Sequence, residues 1–157
     1  MSLTADVVRD ILALHYDRRS RCLDFLTSLT DEERSRPIGP AFGSLAGVLL
    51  HCLDAEEYWV QRAIGGREPL PPSSVEDADA LRERAAQVHG RTMAAVAGLN
   101  DEALRRTVVY ALSDGVPRRA AVARILLHVV THDFHHRGQI AAIASQRGQE
   151  PPSMDIL

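Results

Sequence analysis

Residues 121–147, AVARILLHVVTHDFHHRGQIAAIASQR, read as one long amphipathic helix. Apolar residues return every three to four positions, the period of an α-helix, and Gly148 follows as a stop. The apolar stripe is interrupted by His128, His132, His135, His136 and Gln139. At about 100° per residue, with His128 at zero, His132 falls near 40°, His135 near −20°, His136 near 80° and Gln139 near 20°. Ile125 and Ile143 share that arc, so the imidazoles stand on the face that should enter a core. Burying imidazoles is costly unless each nitrogen is paired. A divalent ion resolves the cost, because neutral imidazole is a good ligand for zinc, nickel or iron. Residues four apart on a helix are neighbours, so an HxxxH pair can grip one ion. His128/His132, His132/His136 and the closer-spaced His132/His135 all qualify, and spacing does not choose among them.

Outward from this helix, three more segments carry the same apolar period. The first runs from about Thr4 to Leu29, with Val8, Ile11, Leu12, His15, Cys22, Leu26 and Leu29 along one stripe. Asp31-Glu32-Glu33 and Pro37-Ile38-Gly39-Pro40 end it and make a connection. The second runs from about Ser44, a fitting N-cap, to Ile64, with Gly65-Gly66 as its stop. After the Pro-rich stretch Pro69–Pro72, the third starts near Ser74, where Ser74-Val75-Glu76-Asp77 fits a capping box, and reaches about Leu99. Thr107-Val108-Val109-Tyr110-Ala111 differs: it is β-branched and aromatic, and Ser113-Asp114-Gly115 turns behind it. The pattern predicts a single all-α domain over residues 1–157. Its expected form is an antiparallel-type four-helix bundle with a short extended or hairpin segment before the last helix.

The bulk numbers narrow the function. A formal charge of −3 and no basic run leave no broad positive field for nucleic acid. All 18 basic residues are arginine, so lysine Schiff-base chemistry is excluded. Two cysteines, Cys22 and Cys52, in no CxxC spacing, make no disulfide framework. No signal peptide is visible at the N-terminus and no apolar run would span a bilayer, so neither a membrane nor a nucleic-acid partner is expected, and cytoplasm is the expected location.

Two ligands from one helix do not complete a metal site. The second segment offers His51, inside Leu49-Leu50-His51-Cys52-Leu53; the third offers His89 and the first His15. A solitary histidine on an apolar face is more often a hydrogen-bonded core residue, and His15 and His89 read that way. His51 is the better partner.

At this point His51-Cys52-Leu53-Asp54-Ala55-Glu56-Glu57-Tyr58-Trp59 resembles the second-helix motif of the DinB/YfiT-like proteins. The run His128–Gln139 resembles their fourth-helix motif, HxxNHxxHHRGQ, with Thr131 in place of the usual Asn. Tyr16-Asp17, Leu29–Glu33 and the tail Pro151-Pro152-Ser153-Met154-Asp155 also fit, so the resemblance covers nearly the whole chain. It implies a four-helix bundle, commonly a homodimer. It also implies one divalent ion, zinc or nickel first, held by His51, His132 and His136. His128, Gln139 and Asp54 are then candidates for supporting those ligands. Arg137 faces away and reads as a salt-bridge residue, Cys52 as core packing, and Tyr58 and Trp59 as packing or pocket wall.

Three neutral imidazoles leave an ion its full charge and open positions, the arrangement of a catalytic metal. Some relatives use such a site to activate a low-molecular-weight thiol. The expectation is therefore a thiol-dependent S-transferase or isomerase acting on a small molecule. The alternatives are a non-enzymatic metal-binding or stress protein and a metal-dependent hydrolase.

Overall fold

The computed structural model describes residues 3–74, 77–153 and 155. It is mostly helical: α1 (Ala5–Ser28), α2 (Asp31–Ser35), α3 (Leu45–Glu57) continuing into a π-helical segment (Tyr58–Ile64), α4 (Ala78–Val96), α5 (Asp101–Arg105), β1 (Thr107–Ala111), β2 (Pro117–Ala121) and α6 (Val122–Gln146). Among the described residues no helix is long and apolar enough to cross a membrane.

The helices α1, α3 and α4 begin where a side chain can accept orphan backbone N–H groups. Thr4 accepts from the Val7 N–H, Ser44 from Gly47 and Asp77 from Ala80. The capping box expected at Ser74–Asp77 includes Val75 and Glu76, which lie outside the described residues, as does Met154 of the tail. Gly148, at φ 76°, ends α6 in the left-handed conformation that a glycine adopts without strain. The residues expected to form only a connection after α1 include a helix of their own. Thr30 and Glu33 make a reciprocal capping box that starts α2, and Arg34 tucks back onto the carbonyls of Leu26 and Leu29. The hairpin expected near Thr107 is present, with Thr107 paired to Ala121 and Ala111 to Pro117.

α1 packs on α4 and α6, and α3 packs on the same two helices. Two apolar clusters fill the interior. One takes Val8, Leu12, Val60, Val96, Ile125 and Val129; the other takes Cys22, Leu26, Leu49, Leu53, Val88 and Ile140. Their order along each helix gives the directions. α1 and α6 pass from the first cluster to the second, whereas α3 and α4 pass from the second to the first. The antiparallel relation expected between neighbours thus holds for α1 with α4 and for α3 with α6, but the consecutive helices α3 and α4 run the same way. The stretch 65–74, which follows α3 and its π-helical segment, is what permits this. It returns the chain to the starting end and is tied down by Glu57, which accepts from the Leu70 N–H, and by Arg91, which donates to the Glu68 carbonyl.

Between the clusters lies a polar layer to which every long helix contributes. Arg19 of α1 reaches Glu56 of α3 at 2.6 Å and Asp133 of α6 at 3.1 Å. Tyr16 of α1 and Thr92 of α4 both donate to Glu56 Oε1 at 2.6 Å. Arg137 pairs with Asp133 at 2.7 Å and lies on the Phe134 ring. All of these are buried, so a slip of any helix by one turn would strand a charge out of water.

Candidate metal centre

α3 and α6 cross so that His51 meets the HxxxH face of α6. His132 Nε2 lies 3.3 Å from His51 Nε2 and 3.1 Å from His136 Nε2. One ligand nitrogen from each of the three rings falls within 4.8 Å of the others. The trio grades from exposed His51 through half-buried His132 to buried His136.

The chemistry of the donor set fits a metal ion. His136 Nδ1 lies 2.8 Å from Gln139 Oε1, an acceptor, so Nδ1 carries the proton and Nε2 carries the lone pair. The Gln139 amide nitrogen in turn donates to His135 Nε2 at 3.2 Å. A single proton on His132 Nε2 cannot serve His51 and His136 at once, whereas one cation satisfies all three nitrogens. The two short separations match the roughly 3.3 Å expected between two nitrogens each about 2.0–2.1 Å from a tetrahedral ion. Burial, then repulsion from His136 and His51, lowers the pKa of His132 to about 4. Burial and His136 also lower that of His51. Both rings are therefore neutral at pH 7, the form that binds a metal.

The neighbours divide into those that support the trio and those engaged elsewhere. Phe42, from the loop before α3, places its ring 5.1 Å from both His51 and His136. Asp54 does not join the histidines; its carboxylate is held by Arg84 at 2.6 Å. His128 is exposed, 5.5 Å from the His132 ring and edge-on to Trp59, so it meets the trio through ring packing. Thr131, the departure from the family pattern, turns its hydroxyl back onto the carbonyls of Leu127 and His128. Cys52 is buried, and burial pushes its thiol pKa well up; the Cys22 thiol is pushed up to about 12 by the same cause. Neither offers a thiolate. His89 stacks on Tyr16, and His15 lies buried between Asp133 and Glu56, at 3.5 and 3.9 Å.

Arg19, Tyr16, Thr92 and Asp133, which set the helices that carry the ligands, escape a reading of the sequence for chemistry. A signal for Arg19 was present: the stripe Val8, Leu12, His15, Cys22, Leu26 has a vacancy at the position four beyond His15, and Arg19 fills it.

Comparison with known proteins agrees with this architecture. The model of the DinB family matches residues 1–157. A DinB-like protein of Bacillus cereus superimposes with a TM-score of 0.78 at 20% identity, covering 98% of this chain and 99% of the other. A second, the DinB-like protein YjoA of Bacillus subtilis, gives 0.70 at 18% identity over 93% and 97%. At such identities the likeness is one of fold. Among curated proteins none matches.

Proposed function

The chain belongs to the DinB family, and on that footing we propose that His51, His132 and His136 hold one divalent ion and serve a thiol-dependent S-transferase or isomerase. The observation that supports this most is the open donor set. Three ring nitrogens converge at the protein surface, and the described residues add no fourth carboxylate, thiol or imidazole to them. Structural zinc sites are usually closed by four protein ligands, whereas catalytic sites keep a position free. When bound, zinc or nickel supplies the positive charge that stabilises a thiolate at neutral pH.

The chain's own residues prepare that setting. Gln139 holds the His136 ring with its Nε2 lone pair directed at the other histidines. Phe42 packs its ring against both His51 and His136. A groove of about 350 Å³, lined by Phe42, Leu50, His51 and Asp54, gives a small molecule access. The helices, taken as a four-helix bundle, supply a rigid frame through the polar layer. Hydrolysis is the weaker reading, because Asp54, Glu56 and Asp133 are each engaged by arginine and none stands free as a general base. We also propose a homodimer through the α1/α6 face, where Val7, Leu14 and Leu127 remain exposed. Light scattering should give twice the chain mass, and a monomer at micromolar concentration would exclude it.

Metal analysis of untagged protein tests the main proposal, followed by assay with bacillithiol, mycothiol or glutathione and a general electrophile. About one equivalent of zinc or nickel is expected, with both metal and turnover lost in His136→Ala. Metal-loaded protein inert with every thiol would exclude the transferase and leave metal binding without chemistry.

A further inference from the structure

A second cavity, of about 690 Å³, opens beside the histidines, within the usual size of small-molecule sites. Its walls are Trp59, Tyr110 and His128, with Arg118, Arg119 and Arg124 around them, and no Asp or Glu lines it. His128 joins it to the metal centre, since its ring touches Trp59 on one side and His132 on the other.

The charges here are unbalanced in a way that the fold does not explain. Arg118 is bridged to Asp114 at 2.6 Å. Arg119 and Arg124 are exposed and, among the described residues, have no acidic partner. Arg124 sits in the first turn of α6, the positive end of a 25-residue helix, where a cation is disfavoured. That end has an alanine N-cap with no side-chain hydrogen bond and no acidic residue in its first turn. Elsewhere the chain caps its helices with Thr, Ser, Asp and Asn. The Val122 N–H is taken by the Arg106 carbonyl, but cationic side chains and a helix start without a side-chain cap still gather at one aromatic-walled cavity, an arrangement that an oxyanion would relieve.

We propose that this cleft binds the oxyanion end of a small organic acid or phosphate ester, through Arg119 and Arg124, and presents the rest of the molecule past His128 to the histidine trio. The second half of this statement rests on the metal function proposed above; the binding itself does not. Trp59 and Tyr110 supply flat apolar walls for the body of the ligand. Guanidinium groups supply paired donors for a carboxylate or phosphate.

Trp59 is the single tryptophan, so intrinsic fluorescence reports occupancy of the cleft directly. Metal-free protein would be titrated at constant ionic strength with succinate, inorganic phosphate and neutral succinamide. A saturable change is expected with succinate or phosphate and not with succinamide, and the tighter of the two anions identifies the group recognised. Arg119→Gln and Arg124→Gln should each weaken the apparent Kd by about tenfold, while Arg62→Gln, which loses only the exposed pair with Glu68, should leave it unchanged. Equal responses to succinate and succinamide, no saturable response to either anion, or wild-type affinity in the Arg119/Arg124 double variant would overturn the proposal. Because no metal is needed, His136→Ala should bind the anions normally, which separates failure here from failure of the metal function.

Discussion

Gln139 contacts two histidines with the two ends of one amide, accepting from His136 Nδ1 and donating to His135 Nε2. That fixes both the tautomer and the tilt of the buried ligand, the part that a supporting residue plays in metal sites. Gln139→Ala should weaken zinc affinity by about 10–100-fold, read by competition with a chromophoric chelator. Gln139→Glu keeps an acceptor for Nδ1 and should retain most of the affinity. Equal affinity in wild type and Gln139→Ala would show that packing alone orients the ring. At this scale the helical wheel was informative: it placed His132, His136 and Gln139 in one arc, and the structure brings them into contact. It said nothing of Asp133, and of Arg19 it showed only a gap in an apolar stripe, because a charged residue within a helix reads as solvated until its partners are known. Those partners lie more than a hundred residues apart in the chain.

α3 carries His51, and its start is fixed by a close approach. A Cβ on Gly47 would lie 2.0 Å from the Phe42 carbonyl oxygen, so only glycine lets the loop fold against the first turn. Because the obstacle is backbone, Gly47→Ala must displace the segment that carries Phe42, at a cost of about 1–3 kcal/mol, and should also lower metal affinity by uncovering His51 and His136. Gly90, exposed on α4 with open space around its Cβ, is the control: Gly90→Ala should stabilise by up to about 1 kcal/mol. Urea denaturation of both variants measures this, and equal stabilities would refute the close-approach argument. The long helices were readable from their apolar period, helped by a side-chain cap at the start of α1 and α3 and by a glycine after the π-helical segment and after α6. The π-helical turn at Tyr58–Ile64 was not, since YWVQRAI contains neither Gly nor Pro to mark it. The five-residue helices α2 and α5 are too short to show a period and announce themselves only through Thr30 with Glu33 and through Asn100. The direction of α4 depends on the route of the stretch 65–74, which composition does not encode.

Across the whole molecule, the polar layer together with His51 and His132 couples folding to pH. Burial would raise Glu56, but the Arg19 guanidinium, the nearby His15 ring and the bond from Thr92 override it and hold the carboxyl well below its usual range. Asp133 is likewise lowered against its burial, by Arg19, His15 and Arg137. A carboxylate depressed in the fold stabilises it above the unfolded value, near 4, and that contribution disappears as pH falls through the folded value. Burial and then Arg19 lower His15, and His51 and His132 are lowered chiefly by burial. These rings favour unfolding by the same sign but from a higher start, because the unfolded chain takes up their protons below about 6.5 while the native chain does not. Metal-free protein should therefore lose stability in two stages on acidification. The first begins near pH 6.5 and, for His132, runs to about 4; the second follows below it as Glu56 and Asp133 protonate. Metal loading should suppress the His51 and His132 share of the first stage, since a bound ion excludes the proton. Glu56→Gln should remove its share of the second stage while costing roughly 3–5 kcal/mol at pH 7, because Arg19 loses a buried partner. Calorimetric Tm from pH 8 to pH 3 distinguishes the stages. A Tm independent of pH between 7 and 5 in the metal-free protein would mean that these rings are already solvated, and His51 and His132 would then lack the burial on which their neutral, metal-ready state depends.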